Sequence, residues 1–228
     1  ADWVVAPGAR TDQAIVYLHG GGFQIGSPVS HRLLMAELSK AAGVRVLGVD
    51  YRLAPEHRYP AALDDALAVL AWLGTQGVAM RDVAMAGDSA GGGLVLSCLL
   101  ARHQRGLASP AGAYLMSPLT DLSVSGASYD SRSATDPIHQ RQMIQQLVRT
   151  YLGKDGDARA PLASPMFADA QALAALPPVL LQVGDPETLL SDAEDFARRL
   201  CAAGGDVHCD AWPGMIHVFQ QFPRELPQ

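Results

Sequence analysis

The chain of 228 residues lacks several things, and each absence narrows what it can do. It has no cluster of lysine or arginine, and its formal net charge is −6. A nucleic-acid backbone needs a basic footprint, so nucleic acid is excluded as an expected partner. No apolar run is long enough to cross a bilayer, so no membrane span is expected. Cysteine is scarce, with only Cys98, Cys201 and Cys209 and no CxxC pair. Neither a zinc site nor a disulfide framework is therefore expected, and three buried thiols in a reducing compartment are the plain reading. No metal or other cofactor is implied. A basic, apolar leader is also missing, which points to a cytoplasmic protein. Internal repeats, low-complexity tracts and linkers are absent, and the length suits one domain spanning residues 1–228.

What is present is a regular alternation. Short apolar runs at Ala14–Leu18, Val44–Val49, Val83–Ala86, Gly112–Met116, Val179–Val183 and Val207–Ala211 read as strands. Helix-length segments at His31–Ala42, Pro60–Gln76, Ala90–Arg105 and Ser191–Ala203 separate most of them. This is repeated βαβ, which predicts an α/β fold with a mostly parallel sheet flanked by helices. Val207–Ala211 reads as an edge strand through which two copies could pair as a homodimer. Asp64 and Asp65 lie toward the positive N-terminal end of the second helix, where they complement its dipole.

Between residues 121 and 161 the alternation stops. One amphipathic helix, Gln140–Tyr151, carries Met143, Ile144, Leu147, Val148 and Tyr151 on a single face. The insertion reads either as a partial cap over a site or as a surface helix packed on the core.

Three segments carry chemistry. Gly87-Asp88-Ser89-Ala90-Gly91 matches G-x-S-x-G between a strand and a helix, which is the context of a nucleophile elbow. Its glycines let the backbone turn sharply enough to push the Ser89 hydroxyl outward. His19-Gly20-Gly21-Gly22-Phe23 follows the first strand, and its N–H groups can approach a developing negative charge. Gly21, Gly22 and Ala90 are the candidate oxyanion donors. Neither GxGxxG nor GxxxxGK[ST] is found, so a phosphate loop is not suggested. A histidine base should come last in chain order, and His217, in the turn after the final strand, fits. The acid should lie after Val179–Val183. There Glu187 is preferred, Asp185 is the main alternative and Asp192 is third. His31, His103 and His139 read as helical, His57 as a loop residue, His208 as an edge-strand residue and His19 as part of the glycine loop, all structural.

HGGGF, the run Asp50-Tyr51-Arg52-Leu53-Ala54-Pro55-Glu56-His57, GDSAGG and the Pro213–His217 turn together resemble the bacterial hormone-sensitive-lipase family of esterases. The resemblance covers nearly the whole chain. It implies an eight-stranded α/β-hydrolase fold under a helical cap and cofactor-free hydrolysis of short- to medium-chain acyl esters, small-molecule substrates. It also implies Ser89 as nucleophile, His217 as base, Glu187 as acid, and Gly21, Gly22 and Ala90 as oxyanion donors. Arg52 and Glu56 are expected to pair near the site. Only eighteen residues precede His19 and the chain stops soon after Phe222, so the family's N-terminal cap arm and its C-terminal helix are expected to be missing. Two other functions share these motifs: an amidase or acyl-peptide hydrolase using the same triad, and a non-catalytic small-ligand receptor. Receptors of this kind lose the triad histidine, so His217 favours an enzyme.

Overall fold

A computed structural model describes residues 1–226 of the chain. Its elements run β1 (Asp2–Val4), β2 (Arg10–Leu18), α1 (Arg32–Ala42), β3 (Val44–Val49), α2 (Ala61–Thr75), β4 (Val83–Asp88), α3 (Ala90–Gln104), β5 (Gly112–Met116), α4 (Ser128–Ser131), α5 (Arg141–Leu152), α6 (Ala170–Ala174), β6 (Val179–Gly184), α7 (Leu190–Ala202) and β7 (Val207–Trp212). The strands form one sheet in the order β1-β3-β2-β4-β5-β6-β7, parallel except for β1. A parallel sheet is covered on both faces, which is why Val16, Tyr17, Leu18, Met85 and Leu115 are buried without alternation. The larger core lies between the sheet and α2, α3 and α7. The smaller one, around Tyr17, Met35 and Val46, lies under α1.

Helix α3 is apolar all round and buried from Ala90 to Arg102, so no amphipathic stripe marks it. Its glycines are demanded by contact. A Cβ on Gly91 would lie 2.0 Å from the Leu18 carbonyl oxygen, and one on Gly93 would lie 2.1 Å from that of Leu119. The helix can press against β2 and the β5 exit only because these side chains are absent.

Several expectations are corrected. The described residues contain seven strands rather than eight, and β1 was not anticipated, because three half-exposed residues carry no period. Short helices α4 and α6 were also unforeseen. His31 precedes α1 and His139 precedes α5, so neither is helical. Arg52 pairs with Asp65 at 2.8 Å, not with Glu56; Asp64 alone stands in the first turn of α2, so Asp65 serves the ion pair. Of the three thiols only Cys98 is buried; Cys209 is intermediate and Cys201 exposed. Helix α5 packs on the core and also lines a cavity. Ile144, Val148 and Tyr151 are buried in the core, with Tyr151 stacked on Phe23 at 3.8 Å, while Met143 and Leu147 turn to a cavity. Among the described residues no helix is long and apolar enough to cross a membrane.

The parallel strands end on one edge of the sheet. There β2 releases the His19 loop, β4 releases Ser89, β5 releases Ser117, β6 releases the Glu187 loop, and β7 releases the turn to His217. Such a carboxyl edge is where open α/β sheets assemble their sites.

Candidate active site

Ser89 sits between β4 and α3 with φ 53° and ψ −122°, a conformation that a side-chain-bearing residue adopts only under strain. Neighbouring bonds hold it there. Ser89 N–H donates to Met116 O at 2.8 Å, and Ser89 O accepts from Leu119 N–H at 2.9 Å. Gly87 is equally constrained, since a Cβ would stand 2.6 Å from Gly91 O. The turn therefore aims the Ser89 side chain into a cavity of about 570 Å³, which His217 and the Gly20–Gly22 segment also line.

His217 arrives from the β7 turn and meets the β6 loop. Its Nδ1 lies 2.7 Å from Glu187 Oε2, with both side chains buried. The other carboxylate oxygen, Oε1, accepts from Ser117 Oγ at 2.8 Å and from Gly184 N at 2.5 Å. Ser117 Oγ in turn accepts Val218 N–H at 3.1 Å, so one hydroxyl joins the acid loop to the residue after His217. Gly184 has to be glycine. A Cβ there would stand 1.9 Å from Met215 O, so the two loops could not close on each other. Nδ1 therefore carries the ring proton toward Glu187, leaving Nε2 free to accept one. Among the described residues no hydrogen bond joins Ser89 to the ring, a separation common before substrate binds.

The other two carboxylates go elsewhere. Asp185 Oδ1 accepts Gly214 N–H at 2.8 Å and braces the outside of the histidine turn. Asp192 is buried in α7, where Oδ2 accepts the N–H groups of Thr120 and Asp121, each at 2.8 Å. Neither bonds to the His217 ring among the described residues.

Gly21 and Gly22 adopt φ of 112° and 62°, which favour glycine. Among the described residues, no hydrogen bond takes up the N–H of Gly21, Gly22 or Ala90. Three backbone donors beside the serine are thus left for a ligand, and a helix N-terminus stands behind one of them.

Sequence reasoning missed His139, Asp136 and Ser117. The His139 ring stands edge-on to His217, centroids 4.3 Å apart at 89°. Burial, and then the His217 neighbour, push its pKa down to about 4, so it is neutral at ordinary pH. Asp136 Oδ1 accepts the N–H groups of Ile138 and His139, and Oδ2 accepts the N–H and hydroxyl of Thr188. A single carboxylate thereby fastens the turn before α5 to the residue next to Glu187. The sole signal in the sequence was Asp136-Pro137, a turn former before a helix.

A family model described as the alpha/beta hydrolase fold matches residues 15–221. The chain is 40% identical over 228 residues to an acetyl-hydrolase of Streptomyces hygroscopicus, covering all of this chain and 75% of that protein. It is 35% identical over 219 residues to an ethyl acetate hydrolase of Pseudomonas putida, covering 93% of this chain and 68% of the relative. Among solved structures, an esterase from the bacterial hormone-sensitive lipase family superposes with a TM-score of 0.95 at 44% identity, over 99% of this chain and 74% of that one. The esterase EstE5, soaked with p-nitrophenyl butyrate, gives 0.94 at 41% identity, over 99% and 74%. Fold, elbow and whole-length similarity agree: the chain belongs to the α/β-hydrolase fold family, within its bacterial hormone-sensitive-lipase group of esterases.

Proposed function

We propose that this chain is a serine carboxylesterase of short-chain acyl esters, with Ser89 as nucleophile, His217 as general base and Glu187 as the acid that orients it. The observation that carries the assignment is the buried 2.7 Å contact between His217 Nδ1 and Glu187, in a ring that faces the same cavity as the strained Ser89. In the first half-reaction the Ser89 oxygen attacks the ester carbonyl while His217 Nε2 takes the hydroxyl proton. Negative charge develops on the carbonyl oxygen, where the N–H groups of Gly21, Gly22 and Ala90 can receive it. Each such donor contributes about 3 kcal/mol to lowering the barrier. The imidazolium then protonates the departing alcohol. Water, activated by the same ring, releases the acid from the acyl-serine.

The names of the relatives support short acyl groups, since one is an acetyl-hydrolase and another an ethyl acetate hydrolase. The test is a series of p-nitrophenyl esters of increasing acyl length, run beside the corresponding anilides, with Ser89→Ala as control. Expected are fast turnover of the acetate and butyrate, little of the anilides, and a loss of about four to six orders of magnitude in kcat for the variant. Substantial turnover by folded Ser89→Ala would overturn the nucleophile. Anilides cleaved as fast as esters would move the reading to an amidase.

A further inference from the structure

Beneath the oxyanion loop lies a second ionisable pair that the mechanism above does not use. Asp88, the residue before Ser89, is buried, and its carboxylate gathers donors from four places. Oδ1 accepts from Tyr17 Oη at 2.5 Å and from Gly20 N–H at 2.8 Å. Oδ2 faces His31 Nε2 at 3.4 Å and Gln221 Nε2 at 3.3 Å. Gly20 must be glycine, because a Cβ there would stand 2.2 Å from Asp88 Oδ2. The carboxylate is thus seated directly against the strand end that presents Gly21 and Gly22.

A buried carboxylate needs compensation. His31, itself buried, is the only base in contact with Asp88 among the described residues. The groups around it are few. Tyr17 of β2 and His19, just past the end of that strand, flank its ring at centroid distances of 6.0 and 5.5 Å, and Arg32, next in the chain, turns away toward Asp2 at 4.0 Å. On the far side of the ring, Nδ1 is 2.9 Å from Ser30 Oγ and 3.2 Å from Ser27 O. Ser30 Oγ also lies 2.9 Å from Ser27 O. When its hydroxyl proton points to that carbonyl, Oγ can accept from a protonated Nδ1. Rotated, it donates to a neutral one. The site can therefore hold His31 in either state, with Nε2–H on Asp88 in both.

We propose that His31 is a positioning residue for ester hydrolysis: as the cation of a buried Asp88–His31 pair, it holds Asp88 on Gly20 N–H and so keeps the Gly21 and Gly22 donors aimed at the oxyanion. This rests on the hydrolase reading above. Burial alone would lower the pKa of His31, but the Asp88 hydrogen bond and charge outweigh it and hold the ring above its ordinary value, while the same pair keeps Asp88 low. A histidine raised in the folded state stabilises it fully below about pH 6.5 and progressively less as pH rises through the folded value. Loss of that proton leaves the carboxylate without its counter-charge, so turnover declines on the alkaline side. Because oxyanion donors act in the transition state, the decline appears in kcat rather than KM.

The decisive experiment follows histidine ring and backbone amide signals by NMR from pH 5 to 9.5 in the wild type, beside steady-state kinetics on p-nitrophenyl acetate for wild type and His31→Gln. The expected result is a His31 midpoint above 6.5, with the Gly20 to Gly22 amide shifts tracking it. His31→Gln, an uncharged donor, should lower kcat about tenfold near pH 7 with KM within about twofold, and should lack the wild type's decline in kcat above the His31 midpoint. A midpoint below 6.5, or glycine amides indifferent to it, overturns the proposal. An unchanged kcat and pH profile in a folded His31→Gln does the same. The NMR arm requires no turnover, so its failure would remove the role of His31 while leaving the hydrolase reading intact, whereas an inert wild type would remove that reading itself. Should His31→Gln not fold, the wild-type titration alone decides.

Discussion

Glu187 reaches His217 across thirty residues of chain, and the contact is made by only one of its two oxygens. Oε2 meets the ring, while Oε1 is fixed by Ser117 and Gly184. The carboxylate is therefore oriented before any substrate arrives.

That division predicts the effect of amide substitutions. In Glu187→Gln the oxygen can keep the Ser117 and Gly184 bonds, which forces the NH₂ group toward Nδ1. The ring must then accept at Nδ1 and carry its proton on Nε2, the wrong tautomer for a base, and kcat should fall by about 10³ to 10⁴. Asp185→Asn and Asp192→Asn touch no ring atom and should each lose less than about tenfold. Parallel measurement of kcat for the three variants checks this, and a larger loss at Asp185 would transfer the acid role to that residue.

Asp192 should instead set part of the pH dependence of stability. Its burial, with Asp121 adding like charge, raises its pKa to about 7 against the Thr120 and Asp121 N–H groups. The folded state therefore binds a proton that the unfolded chain releases near pH 4. The stabilisation is complete below that pH and is lost as pH rises to about 7. The gap between the folded and unfolded values corresponds to roughly 4 kcal/mol, of which about 2 kcal/mol falls between pH 5.5 and 7. Asn accepts the same N–H groups and does not titrate. Urea unfolding at pH 5.5 and 8.5 should show wild type weakening relative to Asp192→Asn by about 2 kcal/mol. Equal pH dependence in the two proteins would exclude Asp192 as the cause.

The sequence exposed those parts of the site whose geometry is local. Ser89 was legible because the constraint that strains it lies in flanking glycines and a strand immediately upstream. Gly21 and Gly22 were legible for the same reason. Glu187 could be ranked above Asp185 and Asp192, but the physical basis of the ranking appears only when Gly214 and the Thr120–Asp121 amides are seen to occupy the other two. Ser117, Asp136 and the His31–Asp88 pair act between loops that chain order does not bring together, so no period or spacing marks them. Proximity in sequence points Arg52 to Glu56, whereas folding of α2 presents Asp65 to it.

His139 should matter as a wall for the His217 imidazole. Removing the ring leaves space beside His217 into which it can tilt, and a small misplacement of a base costs disproportionately in rate. His139→Ala should lower kcat by about tenfold or more, while His139→Phe, which restores an aromatic edge, should stay within about threefold of wild type. Steady-state kinetics on p-nitrophenyl butyrate distinguishes the two. Wild-type kcat in His139→Ala would show that Glu187 alone fixes the ring.

Helix α5 should govern acyl length through Leu147. Its side chain occupies the space above Gly22, where a Cβ would come within 2.8 Å of it, and its carbonyl accepts from Gln24 Nε2 at 3.3 Å. Met143, Ile144 and Leu147 line the cavity beside Ser89, so α5 closes the space that an acyl chain would enter. Leu147→Ala removes about three carbons from that wall while its backbone bond to Gln24 is kept. Each methylene that gains apolar contact contributes about 0.8 kcal/mol. The optimum on p-nitrophenyl esters should therefore move by two to three carbons toward longer chains, raising kcat/KM for the octanoate relative to the acetate by about tenfold or more. Activity on the acetate should fall only a few-fold, since neither the elbow nor the His217–Glu187 contact is disturbed. An unshifted optimum would place the acyl chain away from α5 and assign that side of the cavity to the departing alcohol.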